Sequence, residues 1–566
     1  MSMDQKVYHC LIVSDFNVSN FAGYLGNDTN SPVVAIKTGP FGQVIQVLVN
    51  RELDCWSDPA PDFLVVWTQP QNIINAFNSI MNGQPVPLEE VFAGVDNYTN
   101  LLAAAANDVK FVFVPTWVVP SYHRGLGMLD MKARFGLANV LMRMNLKLLD
   151  NLEKTSNLYV LNADRWFQLA GRNAFNPKSW YMGKIAYGNE VYKEAVNDIK
   201  AAIQGMIGQS RKLILLDLDD TLWGGIVGDI GWENIQLGGH DAIGEAFVDF
   251  QRGLKILKNR GVLLGIVSKN EESVALTAID KHPEMVLRSD DFSGWRINWG
   301  DKASNIAELV SELNLGLQSV VFIDDNPAER ARIKDALPEI LVPDWPDDKM
   351  LYQKTLLQLT CFDIPTISQE DLERTKMYVA ERKRTVAKNE VSSVEEWLES
   401  LDIKIYATEL GERDLSRATQ LFNKTNQMNL TTRRMTEAEL IAWAGQPTHK
   451  FWVFRVTDRF GDYGLTGIVS IEIEDCRCKI IDFILSCRVM GRKVEETMLY
   501  HVINIVKELG IKEIFAEYLP TSKNKPCLSF FETSGFSRQA DSNIFSWTTT
   551  ENYPKPAQVG IEYESA

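Results

Sequence analysis

Short apolar runs that stop abruptly in polar residues recur along the first two thirds of the chain. Amphipathic stretches fall between them. Val7 to Val13 is one such run, ending at Ser14-Asp15-Phe16-Asn17, and residues 62–67, 110–115 and 159–162 repeat the pattern. Apolar residues recur at helical spacing from Met131 to Glu153. Further runs occupy 212–216, 262–267 and 319–323, with an amphipathic helix expected from Gly244 to Asn259. Strands alternating with helices predict parallel sheets covered on both faces. Beyond residue 400 the order changes. Residues 451–456 and 465–471 are strand-like around a turn at 458–463, and Lys479 to Ser486 is another strand. An amphipathic helix to Leu509 and a strand at 514–518 follow, which predicts a mixed sheet. The expected fold class is therefore α/β. The expected division is 1–205, 206–360, a helical connector at 361–400, a third domain at 401–550 and a tail at 551–566.

Length and composition narrow the setting. The 566 residues, 45% hydrophobic, suffice for several cores. No window approaches 18 unbroken apolar residues, and Met1-Ser2-Met3-Asp4-Gln5 lacks the features of a signal peptide, so a cytoplasmic location is expected. Seven scattered cysteines fit reduced thiols, and Cys476-x-Cys478 reads as two strand residues. A net charge of −16 argues against nucleic acid and anionic membrane as partners.

The candidate chemistry sits where apolar runs end, because ligands of open α/β sheets bind at the carboxyl ends of strands. The run at 212–216 leads into Asp217-Leu218-Asp219-Asp220-Thr221-Leu222-Trp223. Clustered carboxylates repel one another unless a cation sits among them, and hard oxygens suit Mg²⁺. Asp217 and Asp219 lie two apart and share a face while the chain stays extended, so one can attack phosphorus while the other moves a proton. Gly224 to Asp229 reads as a flap. The run at 262–267 ends in Ser268-Lys269-Asn270, where a hydroxyl and turn N–H groups can hold phosphate oxygens. Gly300-Asp301-Lys302 opens a helix with a lysine that can neutralise both phosphate and nucleophile, and the run at 319–323 ends in Asp324-Asp325-Asn326-Pro327. Lys269 is the alternative for the lysine role.

These four stations resemble, in order, the motifs of the haloacid dehalogenase (HAD) phosphotransferases. The longer string Asp217 to Gly225 is similar to the FkbH branch of that superfamily. The resemblance implies a Rossmann-like HAD core with Asp217 as nucleophile and Asp219 as general acid and base. It also implies Mg²⁺ on Asp217, Asp324 and the Asp219 carbonyl, with Asp325 supporting the metal shell. Lys302, Ser268, Lys269, Asn270, Asn326 and Thr221 would surround the phosphoryl group. Only 33 residues separate Ser268 from Lys302, too few for a large cap domain; an uncapped site can admit a protein-borne substrate or use a neighbouring domain as its lid.

The flanks carry fainter patterns. The first 205 residues resemble the SGNH-hydrolase-like, flavodoxin-type domain that precedes the HAD domain in FkbH-like proteins. The nucleophile block here is Val13-Ser14-Asp15-Phe16, and Asp164 is followed by no histidine, so a non-catalytic domain is expected, with His123 a loop residue. The connector, with Arg382-Lys383-Arg384, reads as a solvated helix; the alternative is a docking face for an acidic partner. Residues 401–550 resemble the GNAT acyltransferase fold, with Arg488, Gly491 and Lys493 in its anion-binding turn before a helix. Cys487 precedes that turn, where a thiolate is favoured and could hold an acyl group; the alternative is a strand-end cysteine. The polar loop 423–434 reads as a substrate or partner contact, or as a solvated loop.

Taken across the chain, the resemblance to FkbH-like glyceryltransferase/phosphatases implies a specific reaction. 1,3-Bisphosphoglycerate, a small phosphorylated three-carbon substrate, is dephosphorylated. Its glyceryl group then passes to the phosphopantetheine thiol of an acyl carrier protein in polyketide-type biosynthesis. The alternatives are a plain Mg²⁺-dependent phosphatase acting on another substrate and a non-enzymatic carrier-protein docking scaffold.

Overall fold

The computed structural model describes residues 6–133, 135–313, 315–367, 369–389, 393–474, 477–521, 523–539 and 542–563; Cys476 lies outside them. Three sheets organise the chain.

The first sheet is wholly parallel. Its strands are β1 (Val7–Ser14), β2 (Val33–Thr38), β3 (Phe63–Trp67), β4 (Phe111–Pro115) and β5 (Leu158–Leu161), in the order β2-β1-β3-β4-β5. This is the flavodoxin-like order, with its switch point between β1 and β3. All five residues of β3 are buried, as both faces of a parallel sheet must be. One face packs on Val95, Leu102, Val140 and Leu148, the other on Phe21, Trp166 and Tyr192. The pattern missed β2, whose burial is mostly partial, and the expected 131–153 helix begins only at Leu137.

The second sheet is also parallel: β6 (Leu213–Leu216), β7 (Leu263–Ser268), β8 (Gly294–Ile297) and β9 (Val320–Ile323), ordered β8-β7-β6-β9. Its central strand carries the first acidic station. Leu216 pairs with Ile323 on one side and Ile266 on the other, so the residues just past those pairs converge. The Lys302–Glu312 helix is capped by Asp301, which accepts from Ser304 N–H at 3.2 Å. The Pro327–Ala336 helix is capped by Asn326, with proline at its first position.

The third sheet is mixed. Its strands are β10 (Ile403–Glu409), β11 (Met428–Asn429), β12 (His449–Asp458), β13 (Gly461–Glu474), β14 (Arg477–Leu485), β15 (Glu513–Glu517), β16 (Ser537–Arg538), β17 (Ile544–Thr548) and β18 (Val559–Tyr563). The main path is β16-β17-β15-β14-β13-β12-β10-β18. The helix Val494–Glu508 supplies the crossover that the parallel pair β14–β15 requires.

Three expectations change here. The 551–566 segment is not a free tail, because β18 pairs in parallel with β10. The loop 423–434 is not wholly solvated. Pairing of β14 with β15 stops at Ile480, and beyond it Met428 to Leu430 fills the widening gap. Leu430 N–H donates to Phe483 O and Leu519 N–H donates to Leu430 O, so backbone groups otherwise left bare are satisfied. The connector helix Gln369–Asn389 is a clamp, not a docking face for an acidic partner. Arg384 is buried and holds both oxygens of the Asp458 carboxylate, itself fully covered, at 2.6 and 2.8 Å. Arg382 lies 4.0 Å from the Trp295 ring centroid and donates to Phe292 O. Of the three basic residues only Lys383 points outward, to Asp290 at 3.2 Å. The composition suggested a solvated face because sequence alone does not reveal that Asp458 and Trp295 lie opposite.

Candidate active site

The shared register of β6 and β9 puts Asp217 beside Asp324; Asp217 N–H donates to Ile323 O at 3.0 Å. One carboxylate oxygen each from Asp217, Asp324 and Asp325 lies within 4.8 Å of the others. The Lys302 ammonium, 3% exposed, reaches Asp324 at 2.6 Å and Asp217 at 2.9 Å. Burial, then the charge of Asp217, pushes the Asp324 carboxyl up to about 6 despite that ammonium. Burial pulls the Lys302 ammonium down, but the two carboxylates outweigh it and its pKa is raised. Burial also raises Asp325. Three carboxylates face two ammonium groups here, Lys302 and, 3.6 Å from Asp325, Lys349. The excess negative charge and all-oxygen donor set fit a hard divalent cation such as Mg²⁺.

Asp219 stands apart from this cluster: its side chain is not among the three converging acids. One oxygen accepts from Trp223 Nε1 at 2.9 Å and Val227 N–H at 3.1 Å; the other accepts from Asn270 Nδ2 at 2.8 Å. Burial raises its pKa against these bonds. Asp220 adopts the left-handed conformation, φ 53°, and its carboxylate accepts Gly225 N–H at 3.0 Å, tying the glycine flap down.

The remaining residues divide clearly. Thr221, fully buried, accepts from Asp325 N–H at 3.0 Å and lies 3.2 Å from its carboxylate, so it positions that acid. Ser268 is buried at the end of β7. Asn326 N–H donates to Asp324 at 2.8 Å while its side chain caps the next helix. Lys269 turns away to Glu329 at 2.6 Å, so of the two lysines it is Lys302 that contacts the acidic cluster. Two supports escaped the pattern. Arg330 donates to the Asp324 and Asp325 carbonyls at 2.8 and 2.6 Å, and Lys349 donates to Asp220 O at 2.6 Å. Arg330 lies four residues after Asn326, a helical spacing that could have been read; nothing in the sequence near Lys349 points to this site.

Cys487 belongs elsewhere. It is exposed and opens a short turn, lining a cavity of about 420 Å³ with Arg374, Met377, Arg382, Arg488 and Arg492. Glu312 and Leu313 form part of the same wall. Glu312 ends the helix that Lys302 begins and Leu313 caps it, so at 1.5 Å per residue this part of the wall stands roughly 16 Å along the helix from Lys302. Gly491 N–H does not face an open anion site: it donates to the buried Glu495 carboxylate at 2.7 Å. Burial pushes Glu495 up to about 7. In the first sheet, Ser14 is buried, its hydroxyl accepts Phe16 N–H, and His123 Nδ1 accepts Gly125 N–H in a loop.

No protein-family model matches the sequence, and no match was found among curated proteins. Among solved structures, the chain is similar to the N-terminal part of BF1531 from Bacteroides fragilis, which contains a phosphatase domain complexed with Mg. Identity is 25% over 64% of this chain and 95% of that one, with a TM-score of 0.57. Shorter alignments reach the PaiA N-acetyltransferase of Thermoplasma acidophilum in complex with coenzyme A (16% identity, 25% of this chain, 98% of that one, TM-score 0.21). They also reach the ribosomal-protein-S18-alanine N-acetyltransferase of Escherichia coli (12%, 26%, 94%, TM-score 0.20). Scores that low decide nothing about the third sheet, whose architecture stands on its own strands.

Proposed function

We propose that this chain is an FkbH-like, Mg²⁺-dependent HAD phosphatase coupled to acyl transfer. It dephosphorylates 1,3-bisphosphoglycerate and delivers the glyceryl group to the phosphopantetheine thiol of an acyl carrier protein in polyketide-type biosynthesis. The observation that carries the phosphatase half is the contact of one buried ammonium with both Asp217 and Asp324, beside a separately held Asp219. In this reading Asp217 attacks phosphorus, the bond to the leaving oxygen breaks, and Asp219 donates a proton to that oxygen. Asp219 then takes a proton from water as it attacks the aspartyl phosphate, releasing inorganic phosphate and restoring Asp217. Asp217, Asp324 and Asp325 would hold Mg²⁺, which when bound would neutralise charge on the transferring group. Lys302 adds a second positive charge at the nucleophile. We assign 1–205 to a non-catalytic domain, 206–360 to the phosphatase and 401–550 to the transferase.

The transferase half rests on Cys487, exposed in a cleft rich in arginine. With the 3-phosphate removed at Asp217, the Cys487 thiolate would attack the 1-acyl phosphate carbonyl, its thioester forming as the bond to the leaving phosphate breaks. It would then pass the glyceryl group to a pantetheine thiol, one thioester forming as the other breaks. A separation of roughly 16 Å from Lys302 requires a mobile arm to carry the group between the sites. The use of Gly491 N–H by Glu495 favours a second reading, a phosphatase for another phosphorylated substrate whose third unit only binds. No helix among the described residues is long and apolar enough to cross a membrane. Intact-mass analysis of a holo acyl carrier protein incubated with enzyme, Mg²⁺ and 1,3-bisphosphoglycerate separates the readings. A glyceryl mass gain supports the first. Phosphate release without it supports the second, and neither product leaves a docking scaffold.

A further inference from the structure

The first unit carries a surface that the catalytic account does not use. Two loops meet at the carboxyl edge of its sheet. Loop 116–136 follows β4, and the second loop, 171–188, which holds the short Pro177–Gly183 helix, returns to the end of β1, where Lys184 O accepts Asn17 N–H at 2.9 Å. Tyr122 of the first loop packs edge-on against Phe175 of the second, centroids 6.3 Å apart. Both loops hold large apolar side chains out in solvent: Met128 is 98% exposed, Met182 88% and Tyr181 81%, with Leu126, Met131 and Phe135 also exposed. A water-facing group of this size costs solubility unless something covers it, and methionine adapts well to a partner's shape.

The charge around these residues has the opposite sign to the rest of the molecule. Arg124, Lys132, Arg172, Lys178 and Lys184 are all exposed, against one acid, Asp130, among the described residues of the two loops. None of the five makes an ion pair with a described residue, in a chain whose net charge is −16. A two-fold contact between copies would set these cations against themselves, which opposes self-association through this face. The strong negative charge elsewhere on the chain opposes an anionic membrane.

We infer that this face docks an acidic protein that presents a short amphipathic helix. The cations meet its acidic flanks, and Met128, Met182 and Tyr181 cover its apolar stripe. The inference takes its probe from the proposed function, in which a carrier protein is the acceptor. The experiment titrates fluorescent holo acyl carrier protein against the full chain and against Arg124→Glu/Lys178→Glu/Lys184→Glu. Matching neutral glutamine substitutions control for folding. Kd and the KM for carrier should rise about tenfold or more in the charge-reversed variant, less in the neutral one, and both should weaken as salt is raised. The kcat on p-nitrophenyl phosphate should stay unchanged. Equal affinity in wild type and charge-reversed variant overturns the inference, as does absence of carrier binding by wild type. Charge-dependent binding to phosphatidylglycerol vesicles in place of carrier, or charge-dependent dimerisation in sedimentation, also overturns it. If carrier is acylated equally well by both chains, the docking surface falls and the proposed function stands. If carrier binds in a charge-dependent way but gains no acyl group, the reverse holds.

Discussion

Lys302→Met tests the electrostatics of the phosphatase site most revealingly. The substitution keeps the buried stem and removes the ammonium that contacts both Asp217 and Asp324. Removing one partner of a buried ion pair costs about 3–5 kcal/mol, and here two carboxylates lose the same ammonium. The cost has an outlet, because Asp324 is already pushed up to about 6 and can take a proton. A raised carboxyl is a penalty that is absent below its unfolded value near 3.8, grows as pH rises to about 6 and levels off above; losing the ammonium moves that upper limit higher. The loss should therefore be about 3 kcal/mol near pH 8 and about 1 kcal/mol near pH 5.5 in metal-free protein. Mg²⁺ should restore part of it, about 2.7 kcal/mol at a hundred times its Kd. Unfolding of several units is not two-state, so hydrogen exchange on the Leu213–Leu216 strand is the appropriate reading. Phosphatase kcat should fall about 10²-fold or more. Equal protection of that strand in variant and wild type near pH 8 would refute the reasoning.

Other expectations follow from the same contacts. Arg384→Met strands the fully covered Asp458 carboxylate and should cost about 3–5 kcal/mol, read as faster protease cleavage within the connector; unchanged cleavage would contradict the clamp. His501 is buried against Trp452 and Phe454, and burial pulls it down to about 4. The folded state therefore binds fewer protons, and stability present above about pH 6.5 is lost as pH falls towards 4, by about 3 kcal/mol in all. His501→Leu should flatten that part of the urea-midpoint profile, and an unchanged slope would count against it. Cys487→Ala should abolish transfer to carrier while leaving release of phosphate from p-nitrophenyl phosphate within about twofold, because the two sites stand a helix length apart; parallel loss of both activities would contradict that separation.

The acidic stations were legible because each ends a short apolar strand, and parallel pairing in register forces such ends together: Asp217 and Asp324 meet because Leu216 and Ile323 do. The roles of single residues were less legible. Asn270 binds Asp219 and Thr221 props Asp325, and neither distinction can be read from spacing. Long-range pairings were hidden altogether. Strand β18 looked like a tail because its partner β10 lies far away in the chain, and Met428 to Leu430 looked like a polar loop because its neighbours are polar. The arginines of the connector looked solvated because charge composition does not reveal the acid or indole that receives each one. Lys349 reaches the site from the first position of a single 3₁₀ turn, too short to leave a periodic signal.

The central claim is that Asp217 itself becomes phosphorylated. Rapid acid quench during turnover with Mg²⁺ and a phosphorylated substrate, followed by peptide mass spectrometry, tests it directly. The account expects a phosphoryl adduct on Asp217 that needs Mg²⁺ and is absent, along with phosphate release, in Asp217→Asn. A phosphoryl group on another residue, or turnover surviving in that variant, would contradict it.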